Sequence, residues 1–314
     1  MTKWLKNLLA LGIITFLVWY LARHWEQLKA LFRLSPKQLF VMYCLWFLIA
    51  LSGARAVQCL LSALKIKTGF WDMVRLHHAS LLLNYVPVKF GTVFRANYLK
   101  RHYGLAYTHF ATFFLYITFL MTAIAAIIGL TVLLIIYGLS GNENKILGGV
   151  FAITIIGSLP FLVVPLPVPT GQGRLSTTFR TFLTGRSQMS KERKTILKVA
   201  ALLGVNFLFD AVRLWIIYSS MGKNINVGGY LILGALGFVV LFIGLTPGSL
   251  GIRELVLGFG ATVVGMPLEV GVLAAVIDRA IIISYVFIAG SICTVWLWHK
   301  SPADFSKQQD GSSA

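Results

Sequence analysis

The sequence contains few charged residues for its length. Only 12% of its 314 residues are charged, 57% are hydrophobic, and the mean hydropathy is +0.80. Soluble domains are roughly 45–50% apolar and roughly 25% charged. The longest polar interval, Gly171 to Lys194, is too short to bury the core of a soluble catalytic domain. The composition therefore predicts an all-α polytopic integral membrane protein.

Acidic residues are especially scarce, and their shortage limits the chemistry. The chain has 10 Asp and Glu against 28 Lys and Arg, which gives a net charge of +18. Membrane enzymes acting on lipid phosphates generally need carboxylate clusters that bind metal, or a catalytic Asp. No Asp-rich motif, P-loop, G-x-S-x-G or H-E-x-x-H occurs. We therefore expect a protein that is not an enzyme, with no cofactor and no metal site.

The excess of basic residues indicates the partner. Lys and Arg cluster at the ends of apolar segments, where they meet the headgroups of a bilayer. We therefore expect an anionic or phosphate-bearing membrane lipid as the partner, and no nucleic acid.

Cysteine is also scarce. Cys44, Cys59 and Cys293 lie in apolar stretches without C-x-x-C spacing, which is typical of small core residues.

No clear small-x-small cleavage site follows the apolar run Leu8 to Leu21, so we expect a retained first helix.

The apolar segments have the length of about 20 residues that spans a bilayer. We predict about seven to eight transmembrane helices with one or two re-entrant or broken helices, forming a single domain over 1–300. The tail 301–314 is polar and is expected to be disordered. The predicted crossings are 5–22, 38–62, 106–137, 146–166, 196–220, 228–246 and 270–297, with interrupted segments at 76–96 and 247–266.

The basic segment 171–198 sets the predicted orientation. It is expected to be a cytoplasmic loop, because Lys and Arg accumulate on that side. Apolar residues recur at helical spacing between Arg174 and Met189, so this part is either a helix on the inner leaflet or a solvated basic loop. The basic linker 23–37 conflicts with this orientation. The side of the C-terminus depends on whether 247–266 crosses or returns.

Two short motifs interrupt the apolar sequence. They are Asn84-Tyr-Val-Pro87-Val-Lys89-Phe-Gly91-Thr-Val-Phe-Arg95 and Thr246-Pro247-Gly248-Ser-Leu-Gly251-Ile-Arg253-Glu254. Both contain P-x-x-x-G followed by Arg, and Pro and Gly interrupt helices. Broken helices inside a membrane persist only where they are buried in protein or line a wet cavity. The motifs predict a site for transport or lipid handling, and an internal repeat with halves at about 38–166 and 196–297.

Several charged residues fall inside predicted crossings, where each costs roughly 2.5–3.5 kcal/mol at the bilayer centre. Asn206, Asp210 and Arg213 share one helix face, so Asp210 can pair with Arg213. A weaker polar stripe contains Arg55 together with Ser52 and Cys59.

Two adjacent pairs, Arg253-Glu254 and Asp278-Arg279, cannot pair within themselves on a helix. We expect cross-pairing, either Arg253 with Asp278 or Glu254 with Arg279. These charges either fix helix register as buried ion pairs or gate a site.

His77-His78 has no carboxylate or Cys at ligand spacing, since Asp72 is five residues away from His77. We interpret it as an interfacial pair rather than a metal or proton site.

At the two motifs the sequence resembles the lysylphosphatidylglycerol synthase transmembrane family, the flippase-like membrane portion of the bacterial multiple peptide resistance factor. The first motif continues through Tyr98-Leu99-Lys100 and Gly104-Leu105, and the second precedes the helix with Asp278-Arg279. The resemblance extends over nearly the whole chain in helix count and motif order. Many family members carry an acidic residue where this chain has Thr92.

The resemblance implies lipid translocation rather than lipid synthesis, because the sequence shows no aminoacyl-transferase domain. The implied cargo is a phosphate-bearing lipid such as an aminoacyl-phospholipid or a polyprenyl-phosphate-linked sugar. The implied location is the cytoplasmic (inner) membrane of a bacterium or archaeon, as a multi-pass protein. A separate lipid synthase or glycosyltransferase is a further expected partner, and the oligomeric state is left open.

Within this interpretation, Arg95 and Arg253, with Lys89, hold the phosphate, because Arg and unpaired backbone N–H groups converge at helix breaks. The acids counter these charges, gate the site or meet a cationic headgroup. The expected binding residues are Asn84, Pro87, Lys89, Gly91, Arg95, Pro247, Gly248, Gly251, Arg253 and Glu254, and the expected gating or pairing residues are Arg55, Asp210, Arg213, Asp278 and Arg279.

Two other functions remain open from the sequence. One is a non-transporting membrane partner that presents lipid to a synthase or glycosyltransferase, whose activity would vanish without that enzyme. The other is a membrane-embedded transferase, which a metal requirement or turnover by the purified protein would reveal.

Overall fold

A computed structural model describes residues 30–86, 90–164, 173–243 and 251–299, together with positions 15, 19, 22, 23 and 167. Within these residues the secondary structure is helical and contains no strand, which confirms the all-α polytopic class. The helices are α1 (Pro36–Ala63), α2 (Phe70–Leu83), α3 (Phe90–Tyr103), α4 (Tyr107–Val132, continued by a π-helical turn Leu133–Tyr137), α5 (Asn142–Val163), α6 (Arg174–Lys191), α7 (Arg193–Ser220), α8 (Val227–Ile243), α9 (Ile252–Val263) and α10 (Leu268–His299).

Among the described residues, five helices are long and apolar enough to cross a membrane: α1, α4, α5, α7 and α10. At 1.5 Å per residue, even the 22 residues of α5 extend about 33 Å, against a hydrocarbon core of about 30 Å. The predicted crossing 5–22 and the tail 301–314 lie outside the described residues, apart from the isolated positions.

Helices α2 and α3 form an antiparallel hairpin, hereafter hairpin A. The pairing is visible along its length, because the Tyr103 hydroxyl donates to Asp72 and Arg95 donates to Ser80. Each helix has 14 residues and so extends about 21 Å, which is too short to cross the bilayer. The interrupted segment expected at 76–96 is therefore a re-entrant hairpin that returns to the side it left.

Helices α8 and α9 form a second antiparallel hairpin, hereafter hairpin B. A Cβ on Gly260 would lie 2.4 Å from Leu236, and one on Gly229 would lie 3.3 Å from Val264, so α9 runs back along α8. The sequence predicted a full crossing over 228–246. That prediction was wrong, because α9 runs back along α8 toward the side from which α8 begins.

The five crossings fix which ends share a side. Hairpin A, the C-terminal ends of α1, α5 and α10, and the basic helix α6 all lie on one side, here called the basic side. Lys65, Lys67, Lys100 and Arg101 lie there too, so the positive-inside rule predicts that this side faces the cytoplasm. Hairpin B enters from the opposite side. Because hairpin B returns, α10 ends on the basic side.

Helices α1–α4 and α7–α10 follow the same order. In each set a 28-residue helix precedes a hairpin and then a long crossing helix. Both 28-residue helices end in the same way: Ile66 N donates to Leu61 O, and Lys223 N donates to Tyr218 O.

The two sets also pack against each other. The long helix of each set packs on the hairpin of the other, with Gly290 of α10 against Leu82 and Gly129 of α4 against Ala235. Since the hairpins enter from opposite sides, the sets have inverted topology. The two sets have the arrangement of an inverted repeat, which is the architecture of many transporters. The predicted halves at 38–166 and 196–297 stay a prediction.

The sequence left two structures open for the basic segment 171–198, a helix or a solvated loop, and the structure has a helix from Arg174 onward. Helix α6 ends at Lys191 and α7 begins at Arg193. Leu183 on α6 is buried, and Gly185 lies against Thr112 of α4, so one face of α6 packs on the protein. The opposite face remains exposed at Phe179 and Arg180.

Candidate functional site: two helix breaks and a buried charge network

The break in hairpin A is held by backbone contacts that only small residues allow. Asn84 caps the C-terminus of α2, and its Oδ1 accepts a hydrogen bond from Thr92 N at 3.0 Å, near the start of α3. A Cβ on Gly91 would lie 1.9 Å from the Ser80 carbonyl oxygen. Asn84 and Gly91, both expected to bind lipid, therefore shape the hairpin itself. Pro87 and Lys89 lie outside the described residues.

Arg95 lies one turn beyond this break and is half-buried. Its Nε donates to Ser80 Oγ at 3.3 Å, and its Nη2 donates to His77 Nδ1 at 3.0 Å. Its Nη1 has no hydrogen-bond partner among the described residues, and none of their carboxylates pairs with Arg95. A cation at membrane depth thus has neutral partners only in the part of the chain that the structure describes.

The two adjacent histidines have different surroundings. His77 is half-buried and contacts Arg95, whereas His78 is buried between α2 and α10. His78 Nδ1 donates to the Val74 carbonyl oxygen and Nε2 accepts from the Tyr285 hydroxyl, both at 2.8 Å. The expectation of an interfacial histidine pair was wrong for His78, because α10 covers it.

The break before α9 ends at Gly251, whose φ of 80° is in the region that favours glycine. Glu254 Oε2 accepts a hydrogen bond from Gly251 N at 2.9 Å and so caps the first turn of α9. The expected binding residues Pro247 and Gly248 lie outside the described residues.

Asp278 on α10 is the centre of a buried charge network. One of its carboxylate oxygens accepts from Arg213 of α7, and the other accepts from Arg253 of hairpin B at 2.6 Å. Arg213 also pairs with Asp210, one turn earlier on α7. Asp278 has no exposed surface and Arg213 is almost fully buried, so removing either partner would leave an uncompensated charge.

A second pair adjoins this network, between Arg279 and Glu254 at 2.7 Å. Both cross-pairings expected from the adjacent pairs are thus present. The three cations and three carboxylates of the network balance in charge. The network is not saturated in hydrogen bonds, because the Nε atoms of Arg213 and Arg253 are buried without a partner among the described residues.

Two aromatic residues connect the network to hairpin A. The Arg213 guanidinium lies over the Trp46 ring at 4.2 Å, and Trp46 stacks on Tyr285 with the ring centroids 6.1 Å apart. Tyr285 in turn donates to His78 beside the Arg95 site. Sequence reasoning missed Trp46 and Tyr285, because an aromatic residue in an apolar helix carries no signal of its neighbours.

The family model described as "Lysylphosphatidylglycerol synthase TM region" matches residues 7–290. The chain belongs to this family. No curated protein and no solved structure matches the chain. Membership supports a lipid-related function in a membrane for this multi-pass protein.

Arg55 has a different setting in this member of the lysylphosphatidylglycerol synthase transmembrane family. It is exposed on α1 and donates to Gln58 Oε1 at 2.5 Å, so it does not belong to the Asp278 network. It borders an apolar groove of about 590 Å³ between α1, α2 and α7. Beside this groove Ser52 hydrogen-bonds Asn206, so the two polar stripes seen in the sequence face each other.

Proposed function

We propose that this protein translocates a phosphate-bearing lipid across the membrane and binds the lipid headgroup at Arg95. The observation that carries the proposal is that Arg95 lies beside a helix break and has only Ser80 and His77 as partners among the described residues. A phosphate accepts strong, charge-assisted hydrogen bonds from a guanidinium. Nη1 is the atom available to a headgroup, because Nε and Nη2 are already engaged.

Arg253 has a different role in this proposal from the phosphate contact expected from its motif. Its guanidinium already donates to Asp278, and it lies in a network whose charges cancel. A phosphate would have to compete with a buried carboxylate for it. We therefore assign Arg253, with Asp210, Arg213 and Asp278, to holding hairpin B against α7 and α10, in a contact that can open and close.

The architecture favours transport over simple lipid binding. Hairpins A and B enter from opposite sides, and each packs against the long helix of the other set. In transporters with inverted repeats, sites lie at broken helices and access alternates as one part rocks against the other. The chain of contacts from Arg95 and His77 to Trp46 and Arg213 gives the two hairpins a physical connection. That chain runs through the adjacent His78 and Tyr285.

The family and the composition support the remaining parts of the proposal. The protein acts without chemical conversion of the lipid and without a cofactor, in the cytoplasmic membrane of a bacterium or archaeon. The lipid class is an aminoacyl-phospholipid or a polyprenyl-phosphate-linked sugar, supplied by a separate synthase or glycosyltransferase. The net charge of +18 suits an anionic cargo and an anionic inner leaflet.

A reconstituted flipping assay tests the proposal. The purified chain is placed in vesicles with a fluorescent phosphatidylglycerol, and an impermeant quencher reports how fast the label changes leaflet. Arg95→Gln should slow translocation by roughly 10- to 100-fold, because hydrogen bonds to charged groups contribute roughly 1.5–3 kcal/mol. Lys100→Gln, an exposed change on the same helix, is the matched control and should leave the rate unchanged. Equal rates for wild type and Arg95→Gln would count against headgroup binding at Arg95.

A further inference from the structure

The contact between Arg95 and His77 fixes the protonation state of His77. A guanidinium can only donate hydrogen bonds. Since Arg95 Nη2 lies 3.0 Å from His77 Nδ1, this nitrogen must be the acceptor and carries no proton. The His77 ring is therefore neutral as long as the contact exists.

Among the described residues, the surroundings of His77 offer no group that would hold a proton on Nδ1 in this state. In the part of the chain that the structure describes, the charged or titratable groups that act on the ring are Arg95 of α3 and His78 of α2 itself. Helix α1 presents Gly53, where a Cβ would lie 3.4 Å from the ring. Helix α10 presents Tyr285, which is engaged with His78. A proton on Nδ1 would face the N–H of Arg95, so the contact would break and two cations would be adjacent.

A bound phosphate changes this balance. Its negative charge compensates a second cation, and its several oxygens accept hydrogen bonds from two donors at once. Arg95 can then donate to one phosphate oxygen while a protonated His77 donates from Nδ1 to another. The proton comes from water and is added to Nδ1, and no other bond is made or broken.

We infer that His77 takes up a proton when a phosphate group binds at Arg95, so that headgroup binding and protonation are coupled. This inference rests on the proposed function and names the proton as the ion that drives transport. Coupling is reciprocal: if the bound anion raises the affinity of His77 for the proton, the bound proton raises the affinity of the site for the anion by the same factor. Binding should therefore tighten as the pH falls, and a proton gradient would bias the direction of transport.

His78 provides the contrast within the same turn of α2. Both of its ring nitrogens are engaged, by Val74 and Tyr285, and it has no hydrogen bond to Arg95. A phosphate bound at Arg95 would therefore not replace either hydrogen-bond partner of His78. The coupling belongs to His77 alone.

Isothermal titration calorimetry of the full chain in detergent tests the coupling directly. The titrant is dioctanoylphosphatidylglycerol, whose phosphodiester keeps one negative charge throughout, so any change in bound protons belongs to the protein. Titrations in two buffers with different ionisation enthalpies give the number of protons taken up. We expect a net uptake of up to one proton per lipid, and a dissociation constant that rises about tenfold per pH unit in the range where a full proton is taken up.

Dimethyl phosphate, a phosphodiester without chains, separates the two sources of the anion. Uptake with both titrants would support the inference and make the phosphate alone sufficient. Uptake with the lipid only would support it and assign the site to a lipid headgroup.

Variants test the assignment to His77. Glutamine can still accept a hydrogen bond from Arg95 but does not titrate, so His77→Gln should bind the lipid with no proton uptake and no pH dependence. His299→Gln, at the exposed end of α10, is the control and should keep both the proton uptake and the pH dependence of binding.

Three results would overturn the inference in distinguishable ways. Binding that Arg95→Gln weakens but that takes up no proton would refute the coupling and leave the proposed function intact. Uptake that persists in His77→Gln would refute the assignment to His77. Absence of lipid binding at every pH, or binding that Arg95→Gln does not weaken, would refute the proposed site itself.

Discussion

Asp278 accepts hydrogen bonds from Arg213 through one carboxylate oxygen and from Arg253 through the other. A single buried carboxylate thus connects three elements: α7, α10 and hairpin B. Because α10 also packs on hairpin A at Gly290, Asp278 lies on the helix that both hairpins share. A change in the pairing of Asp278 would therefore alter the packing of both hairpins on α10.

Asp278→Asn should strongly destabilise the protein, because it leaves two arginines facing each other without their shared counter-ion. Breaking a buried pair in this way typically costs about 3–5 kcal/mol. Thermal unfolding in detergent measures the effect. Glu269→Gln, an exposed carboxylate in the first turn of the same helix, should change the melting temperature little. Equal melting of Asp278→Asn and wild type would contradict the counter-ion role.

Glu254 should show two separable contributions. Glu254→Gln removes the pair with Arg279 but can still accept from Gly251 N, whereas Glu254→Ala removes both contacts. The alanine variant should be the less stable by about 1 kcal/mol, the usual effect of losing a helix cap. Melting curves of both variants provide the comparison. If they coincide, the cap at Gly251 contributes nothing measurable.

Gly91→Ala should prevent hairpin A from closing. The added Cβ would lie 1.9 Å from a backbone oxygen of α2, a contact that no side-chain movement can relieve. We expect loss of translocation and faster proteolysis of the hairpin in detergent. Gly157→Ala on α5, where no atom lies within 4 Å of the new Cβ, should be neutral or slightly stabilising. Normal translocation by Gly91→Ala would show that α2 and α3 pack differently.

Arg186→Gln should loosen α6 from the rest of the protein. Arg186 is buried and donates to the carbonyl oxygens of Phe161 and Val164, so it satisfies the C-terminal end of α5. Its loss leaves these acceptors unpaired, which costs roughly 1–3 kcal/mol. Hydrogen exchange should then speed up in α6 while α10 keeps its protection. Lys191→Gln, an exposed change at the end of the same helix, should leave exchange in α6 unaltered.

Sequence patterns predicted the features that lie within one segment and two contacts between segments. The composition gave the class, and P-x-x-x-G with Arg marked both helix breaks. Adjacent charges that cannot pair on one helix correctly implied the contacts between Arg253 and Asp278 and between Glu254 and Arg279. The polar stripe with Asp210 and Arg213 likewise formed its internal pair.

Apart from these two cross-pairings, the features that depend on which helices are neighbours were not predictable. Helical spacing shows which residues share a face, but it does not show what that face meets. The contact of His78 with Tyr285 joins residues 207 positions apart, and the return of α9 along α8 depends on close packing at Gly260. Arg186 lies in the basic segment 171–198, where only a surface helix or a solvated loop was expected, but it is buried against the end of α5.

Mass spectrometry of co-purifying lipids tests the central claim most directly. Wild type, Arg95→Ala and the control Lys100→Ala are purified identically, and their bound lipids are compared. The account predicts one class of phosphate-bearing lipid enriched in wild type and in Lys100→Ala, and depleted at least about tenfold in Arg95→Ala. The same bulk lipids in all three proteins would contradict a headgroup site at Arg95.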